Sequence, residues 1–321
     1  MTEMIATRDG FGNELVELGK TNDKILVFSG DLEDATRAEY FKKAYPARFF
    51  NLGITEQDVV GTAAGASTLG FVTFATSFAV FLTNRAYDQI RMDVCYNNCN
   101  VKVVCSHAGL TVGEDGASAQ CLEDFAIMRV LPNIRVICPV DNVEVCKATR
   151  AIVAEKGPIY MRTSRAPLPV ITKESDPFVI GKANLMREGK DVAIIACGMM
   201  VSESLAAAEI LKGEGIAARV INMHTIKPID KDTIIAAAKE TGAVVTAEEH
   251  QIYGGLGSAV VEVLAQNFPV PVEMIAVKDS FGRKRHASRI TQSLSFKRCG
   301  YRASCSKKLS RGKNNVPNKI A

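Results

Sequence analysis

The chain has no apolar run approaching the roughly 18 residues that a membrane-spanning helix needs, although 47% of its 321 residues are hydrophobic. No membrane-spanning helix is therefore expected, and the composition is that of a globular protein. The first nine residues, Met1 to Asp9, carry acids and lack the apolar core of a secretory signal, which predicts a cytoplasmic location. No Cys-x-x-Cys pair occurs among the nine cysteines, and Cys95 and Cys99 stand four apart with no histidine near them. Reduced, buried thiols fit this pattern better than zinc or disulfides. Internal repeats and coiled-coil heptads are missing too. Acids are absent from residues 283–321, which hold 12 of the 39 Lys/Arg. The other 27 bases face 35 acids in residues 1–282, so the body is acidic and the net +4 comes from the tail. An acidic body gives nucleic acid no footing.

What is present alternates. Short apolar, β-branched runs at Lys24–Ser29, Val101–Ser106, Ile134–Pro139 and Pro158–Arg162 read as strands. Helical patterns near Thr7–Thr21, Thr55–Leu69, Phe81–Cys95, Cys121–Arg129 and Asn142–Lys156 lie between them. A proline-punctuated connector runs from Ala166 to Pro177. The alternation then restarts, with strands at Asp191–Cys197, Ala217–Ile221, Ala243–Ala247 and Val272–Val277. Helices near Val201–Gly213, Lys231–Thr241 and Gly257–Phe268 separate these. The pattern predicts an α/β protein of two doubly wound domains with mainly parallel sheets. Their expected limits are residues 1–166 and 187–282, with a linker at 167–186 and a basic tail at 283–321.

Five stretches are candidates to carry chemistry. In Asn51-Leu52-Gly53-Ile54-Thr55-Glu56-Gln57-Asp58, Thr55 is placed to cap a helix, with Asp58 returning the bond as a capping box. The following run, Val59 to Ala66, is rich in glycine and alanine and would let a flat ligand or another backbone approach. Glu56 would then be a poorly solvated acid able to share a proton with a ligand, or simply a favourable charge at a helix start. The loop Ser106 to Gln120, after a strand, includes His107, Gly113, Asp115 and Gly116. It reads either as a ligand loop at a strand's carboxyl end or as a solvated turn. Arg162 and Arg165 could fork onto a phosphate or pair at the surface. Phe78 and Phe81 read first as core packing. Glu248-Glu249-His250 with Gly254 to Ser258 could cradle a phosphate ahead of a helix, but a structural strand-to-helix turn is the stronger reading.

The motifs Gly53-Ile54-Thr55-Glu56-Gln57, Gly113-Glu114-Asp115-Gly116-Ala117 and Ser164-Arg165, in that order and spacing, resemble the transketolase family of thiamine-diphosphate enzymes. The likeness is to the C-terminal half, as found where the enzyme is encoded as two chains, and it runs from about residue 5 to Gly282. It implies a pyrimidine-binding domain followed by a transketolase C-terminal domain. It implies that Glu56 activates the cofactor at the pyrimidine N1′, that Phe78 and Phe81 pack on the aminopyrimidine, and that Asp31 lies near the thiazolium. It also implies that His107 and Arg165 hold the sugar phosphate and that Asp115 reads a substrate hydroxyl. A third family aromatic, a tyrosine, has no clean counterpart, because the alignment slips by one residue near Asn84 to Tyr87. Ala119 stands where the family usually has a histidine that holds donor hydroxyls, which implies weakened donor binding or a shifted preference.

The chain contains no Gly-Asp-Gly, the motif through which thiamine enzymes bind metal and diphosphate; Gly30-Asp31-Leu32 is the nearest sequence. The resemblance therefore implies no metal ligands in this chain. It implies an obligate N-terminal partner subunit carrying the diphosphate and Mg2+ or Ca2+, in a dimer of heterodimers. The implied reaction moves a two-carbon ketol unit from a ketose phosphate such as xylulose 5-phosphate to an aldose phosphate such as ribose 5-phosphate, in the pentose phosphate pathway. Rival readings are a non-catalytic or regulatory half, a 1-deoxyxylulose 5-phosphate synthase-like chain and a 2-oxoacid dehydrogenase beta-like chain. His107, Asp115 and Arg165 favour transketolase over the last two. Beyond Gly282 the family pattern stops, so the tail is either a basic arm or the product of a shifted reading frame, disordered in both cases.

Overall fold

The computed structural model describes residues 3–282; the tail and its two readings lie outside the described residues. Fourteen strands follow one another along them. They are β1 (Met4–Ile5), β2 (Ile25–Ser29), β3 (Phe49–Asn51), β4 (Val72–Phe78), β5 (Val101–Ser106), β6 (Arg135–Ile137), β7 (Ile159–Arg162), β8 (Leu168–Pro169), β9 (Asn184–Arg187), β10 (Val192–Ala196), β11 (Ala218–Asn222), β12 (Thr225–Lys227), β13 (Val244–Gln251) and β14 (Val272–Val277). Seven form one sheet in the order β12-β6-β7-β5-β4-β2-β3, five form a second in the order β14-β13-β10-β11-β9, and β1 pairs with β8. All pairings are parallel except β1 with β8, β9 with β11 and β12 with β6. The chain is thus α/β with mainly parallel sheets.

Both sheets are sandwiched, which explains their composition. Every residue of β5 and of β10 is buried, as expected when helices cover both faces. In β2 the faces separate by parity. Ile25 and Val27 join Phe11 and Leu15 of the helix Thr7–Thr21 on one side. Phe28 joins Val59, Val60 and Ala63 of the helix Glu56–Thr68 on the other. The latter core runs on without a break to Ile226, Ile234 and Val260, so apolar packing crosses from the first unit into the second.

Three departures from the sequence expectation have physical causes. β4, between β5 and β2 inside the first sheet, was not expected because its sequence is punctuated by hydroxyls. Thr73 Oγ1 donates to the Ala63 carbonyl at 3.0 Å and Thr76 Oγ1 to that of Phe28 at 3.2 Å, which makes them compatible with burial. β12 comes from the second unit yet closes the edge of the first sheet. The helix expected over Phe81–Cys95 is broken. It runs Ala79–Arg85, turns, resumes at Tyr87–Gln89 and widens to π geometry over Ile90–Tyr96. A π turn takes up an additional residue, and it follows directly on the one-residue slip near Asn84 to Tyr87.

Candidate functional site

β2, β4, β5 and β7 run parallel, so their carboxyl ends meet along one edge, and the candidate residues gather there. β4 ends at Phe78 and the next helix starts at once, which places Phe81 and Arg85 on a single helical face four residues apart. Phe78 stacks on Phe81 with centroids 5.6 Å apart and planes at 17°. The His107 ring is also stacked on Phe78, with centroids 3.7 Å apart and planes at 14°. The Arg85 guanidinium sits 4.4 Å over Phe81, and its Nη1 donates to Glu56 Oε1 at 2.9 Å. The result is a continuous row, His107–Phe78–Phe81–Arg85–Glu56.

Glu56 begins its helix as expected and is buried, at 4% exposure. The capping box does not form. Thr55 occupies the cap position without a side-chain bond to the helix, and its Oγ1 donates instead to the Leu52 carbonyl at 2.8 Å. Arg85, half exposed, is the partner that the sequence reading did not single out. Its i,i+4 spacing from Phe81 was the available signal.

His107 closes the row in a left-handed conformation, φ 59°, the kind of backbone strain that collects at functional sites. Its Nδ1 lies 2.8 Å from Ser106 Oγ. Burial first, and then the positive field of Arg8, Arg165 and Arg37, pull its pKa down to about 3, so the imidazole is neutral at physiological pH. Arg8 was not among the candidates either. Ser164 N donates to Thr7 Oγ1 at 2.6 Å, a link across 157 positions that brings the start of the first helix beside the Arg165 loop. Arg8 Nη1 donates to the Ala35 carbonyl at 2.7 Å, while its buried Nε has no partner among the described residues. Arg165 donates to the Val112 carbonyl, and its Nε stands 3.8 Å from Asp115 Oδ2. The loop adopts the angles its glycines allow, with φ 80° at Gly113 and 77° at Gly116.

Two readings left open by the sequence are settled, the second in favour of the structural turn. Arg162 is no phosphate ligand, because it is buried between Asp124 and Glu249, at 3.6 and 3.7 Å. The turn after β13 is no phosphate cradle, because Glu248 fills it, accepting from Leu256 N at 2.7 Å and Gly257 N at 2.8 Å. Asp31 is exposed at the rim, with φ 62°, and accepts from Asn51 Nδ2 at 2.9 Å. Its neighbour Gly30 faces Ser77 and Gly53. Ala119 is buried in the loop, its N–H bonded to the Gly116 carbonyl at 3.1 Å.

The donor set suits an aminopyrimidine. It offers an aromatic face, a carboxylate at one end, and the buried Ser29 and Ser77 hydroxyls, which have no partner among the described residues. For a metal–diphosphate no comparable set is seen. Among the described residues, no group of three or more His, Cys, Asp or Glu side chains converges.

A second buried imidazole gives a stability test. His224 stacks on Phe178 at 4.2 Å, and burial, aided by Lys147, lowers its pKa to about 4. Against an unfolded value near 6.5, its contribution is complete above pH 6.5 and is lost as pH falls toward 4. The stake is on the order of 3 kcal/mol. The melting temperature of the parent chain should therefore drop more steeply than that of His224→Asn between pH 6.5 and 4.5. Parallel profiles would contradict the assignment.

Comparison with known proteins gives concordant matches. Residues 3–170 match the family model described as transketolase, pyrimidine binding domain, and residues 181–298 that described as transketolase, C-terminal domain. A 6-deoxy-6-sulfo-D-fructose transketolase subunit of Clostridium sp. (strain MSTE9) is 42% identical, over 86% of this chain and 85% of its own. One of the subunits of an apulose-4-phosphate transketolase of Phocaeicola vulgatus is 38% identical, over 86% and 88%. A solved structure described as a split gene transketolase, inactive beta4 tetramer, superposes with a TM-score of 0.88 at 44% identity, covering 95% of this chain and 99% of that one.

Proposed function

The chain belongs to the transketolase family, and on that premise we propose that it is the pyrimidine-binding subunit of a two-chain ketol transferase. Its donors are of the xylulose 5-phosphate type and its acceptors of the ribose 5-phosphate type, in the pentose phosphate pathway. The row from Glu56 to His107, whose imidazole lies in the positive field of Arg8 and Arg165, carries the proposal, because it sets a cofactor-ring seat beside a candidate anion seat along one strand edge. Thiamine diphosphate, when bound, supplies the nucleophilic carbon and electron sink for moving a two-carbon unit.

Within this chain, Glu56 holds and returns a proton at the pyrimidine N1′, while Phe78 and Phe81 fix the ring by offset stacking. Neutral His107 donates or accepts without competing for the substrate's anionic end, which Arg165 and Arg8 bind by charge-assisted bonds. Asp115, on the same loop, reads a substrate hydroxyl, and Asp31 closes the rim toward the thiazolium. Diphosphate and Mg2+ or Ca2+ fall to an N-terminal partner subunit in a cytoplasmic dimer of heterodimers, a reading supported by the missing Gly-Asp-Gly. Ala119 in the family's histidine position favours a second reading, a half with altered donor choice or none.

Mixing the chain with its partner, thiamine diphosphate and magnesium, then assaying xylulose 5-phosphate, 6-deoxy-6-sulfofructose and apulose 4-phosphate with ribose 5-phosphate, tests both readings. Turnover of xylulose 5-phosphate by the pair and not by either chain supports the proposal. Turnover by this chain alone, or of none of these donors, overturns it. Arg165→Ala should raise KM for the sugar phosphate about 10- to 100-fold with kcat little changed, the loss of one charge-assisted bond. An unchanged KM would remove Arg165 from the anion seat.

A further inference from the structure

Glu249 belongs to β13, in the unit to which the reading above assigns no chemistry, yet its carboxylate grips the substrate loop of the other unit. Thr111 N donates to its Oε1 at 2.5 Å and Thr111 Oγ1 to its Oε2 at 3.1 Å. Both ends of that grip are fixed. Arg162 Nη2 donates to the Glu249 carbonyl at 2.9 Å, so the strand holding the carboxylate is itself pinned to β7. The loop is closed at its base by Gly109 N donating to the Cys121 carbonyl at 2.7 Å, and Gln251 N donates to the Leu122 carbonyl at 2.8 Å. Gly109, at φ 82°, leaves no room for a side chain beside the Glu249 carboxylate.

The residue after Thr111 is Val112, whose carbonyl accepts from Arg165. His107 and Asp115 lie in the same loop, on either side of Thr111. A carboxylate taking both donors of one residue fixes that residue's backbone and side chain together, and through Val112 it fixes the direction of the Arg165 guanidinium. We propose that Glu249 is a positioning residue through which the C-terminal unit sets the geometry of the anion seat. Its part in substrate affinity rests on the function proposed above, whereas the tether itself does not.

The test uses the full chain with its partner and two variants, Glu249→Gln and the smaller change Thr111→Val, with Thr111→Ser as the conservative control. Hydrogen exchange of the amides of residues 109–117 should accelerate about tenfold in the first two, and KM for the sugar phosphate should rise about tenfold while kcat and thiamine diphosphate affinity hold. Thr111→Ser should restore both readouts. If Glu249→Gln fails to fold, Thr111→Val decides alone. Unchanged exchange overturns the tether. Faster exchange with an unchanged KM overturns the positioning role. If the parent pair shows no ketol transfer, exchange still decides the tether, while the functional reading falls separately.

Discussion

Replacing Arg162 with leucine is expected to lower the unfolding free energy by about 3–5 kcal/mol, the largest stability effect we anticipate from one substitution in this chain. The side chain is 6% exposed at the end of β7. Burial opposes its charge, but Asp124 and Glu249 outweigh that penalty and hold the guanidinium protonated, raising its pKa. It also lies 4.7 Å over the Phe125 ring. Asp124 in turn accepts from the Tyr160 hydroxyl at 2.6 Å. Leucine would leave two carboxylates in a site built around a cation, and the cost is that of the abandoned charges more than of the lost contacts. Urea titration should show the midpoint falling with little change in slope. A loss under about 1 kcal/mol would mean that water reaches these groups.

The second large effect concerns rate. Glu56→Gln keeps the shape of the side chain and can still accept from Arg85, but it cannot exchange a proton at the pyrimidine N1′. With the partner present, kcat should fall by about 100- to 10,000-fold, with the fold and the KM for the sugar phosphate preserved. Arg85→Ala should cost less, since it loosens Glu56 and uncovers Phe81 without removing the acid. A Glu56→Gln enzyme within tenfold of the parent would contradict the role assigned to this carboxyl.

How much of this was readable in advance depended on where the physical signal was local. β5 and β10 were legible because a strand covered on both faces is a short, largely β-branched apolar run, unbroken in β10 and interrupted in β5 by Lys102 and the terminal Ser106. β4 escaped because Thr73 and Thr76 look polar until the carbonyls that receive them are known. β12 escaped because three residues hold no period, and only its pairing with β6, nearly 90 positions earlier, makes it a strand. The same division runs through the site. Glu56, Phe78, Phe81, His107 and Arg165 each sit in a short motif, and the structure brings them to one edge. Arg8 joins them only because Thr7 meets Ser164. Arg162 and Arg165 are three apart on the chain, yet one faces a buried pair of acids and the other the loop. Sequence spacing gave their nearness but not their directions, since a strand end turns successive side chains opposite ways.

The central claim is that one buried carboxyl in this chain works on a cofactor whose other half is held by a partner. It is tested most directly by the rate at which the C2 proton of thiamine diphosphate exchanges with deuterated solvent in the assembled pair. The account predicts rapid exchange in the parent pair, slow exchange with Glu56→Gln at equal cofactor occupancy, and none above the free-cofactor rate with this chain alone. Equal exchange in the parent and Glu56→Gln pairs would contradict it.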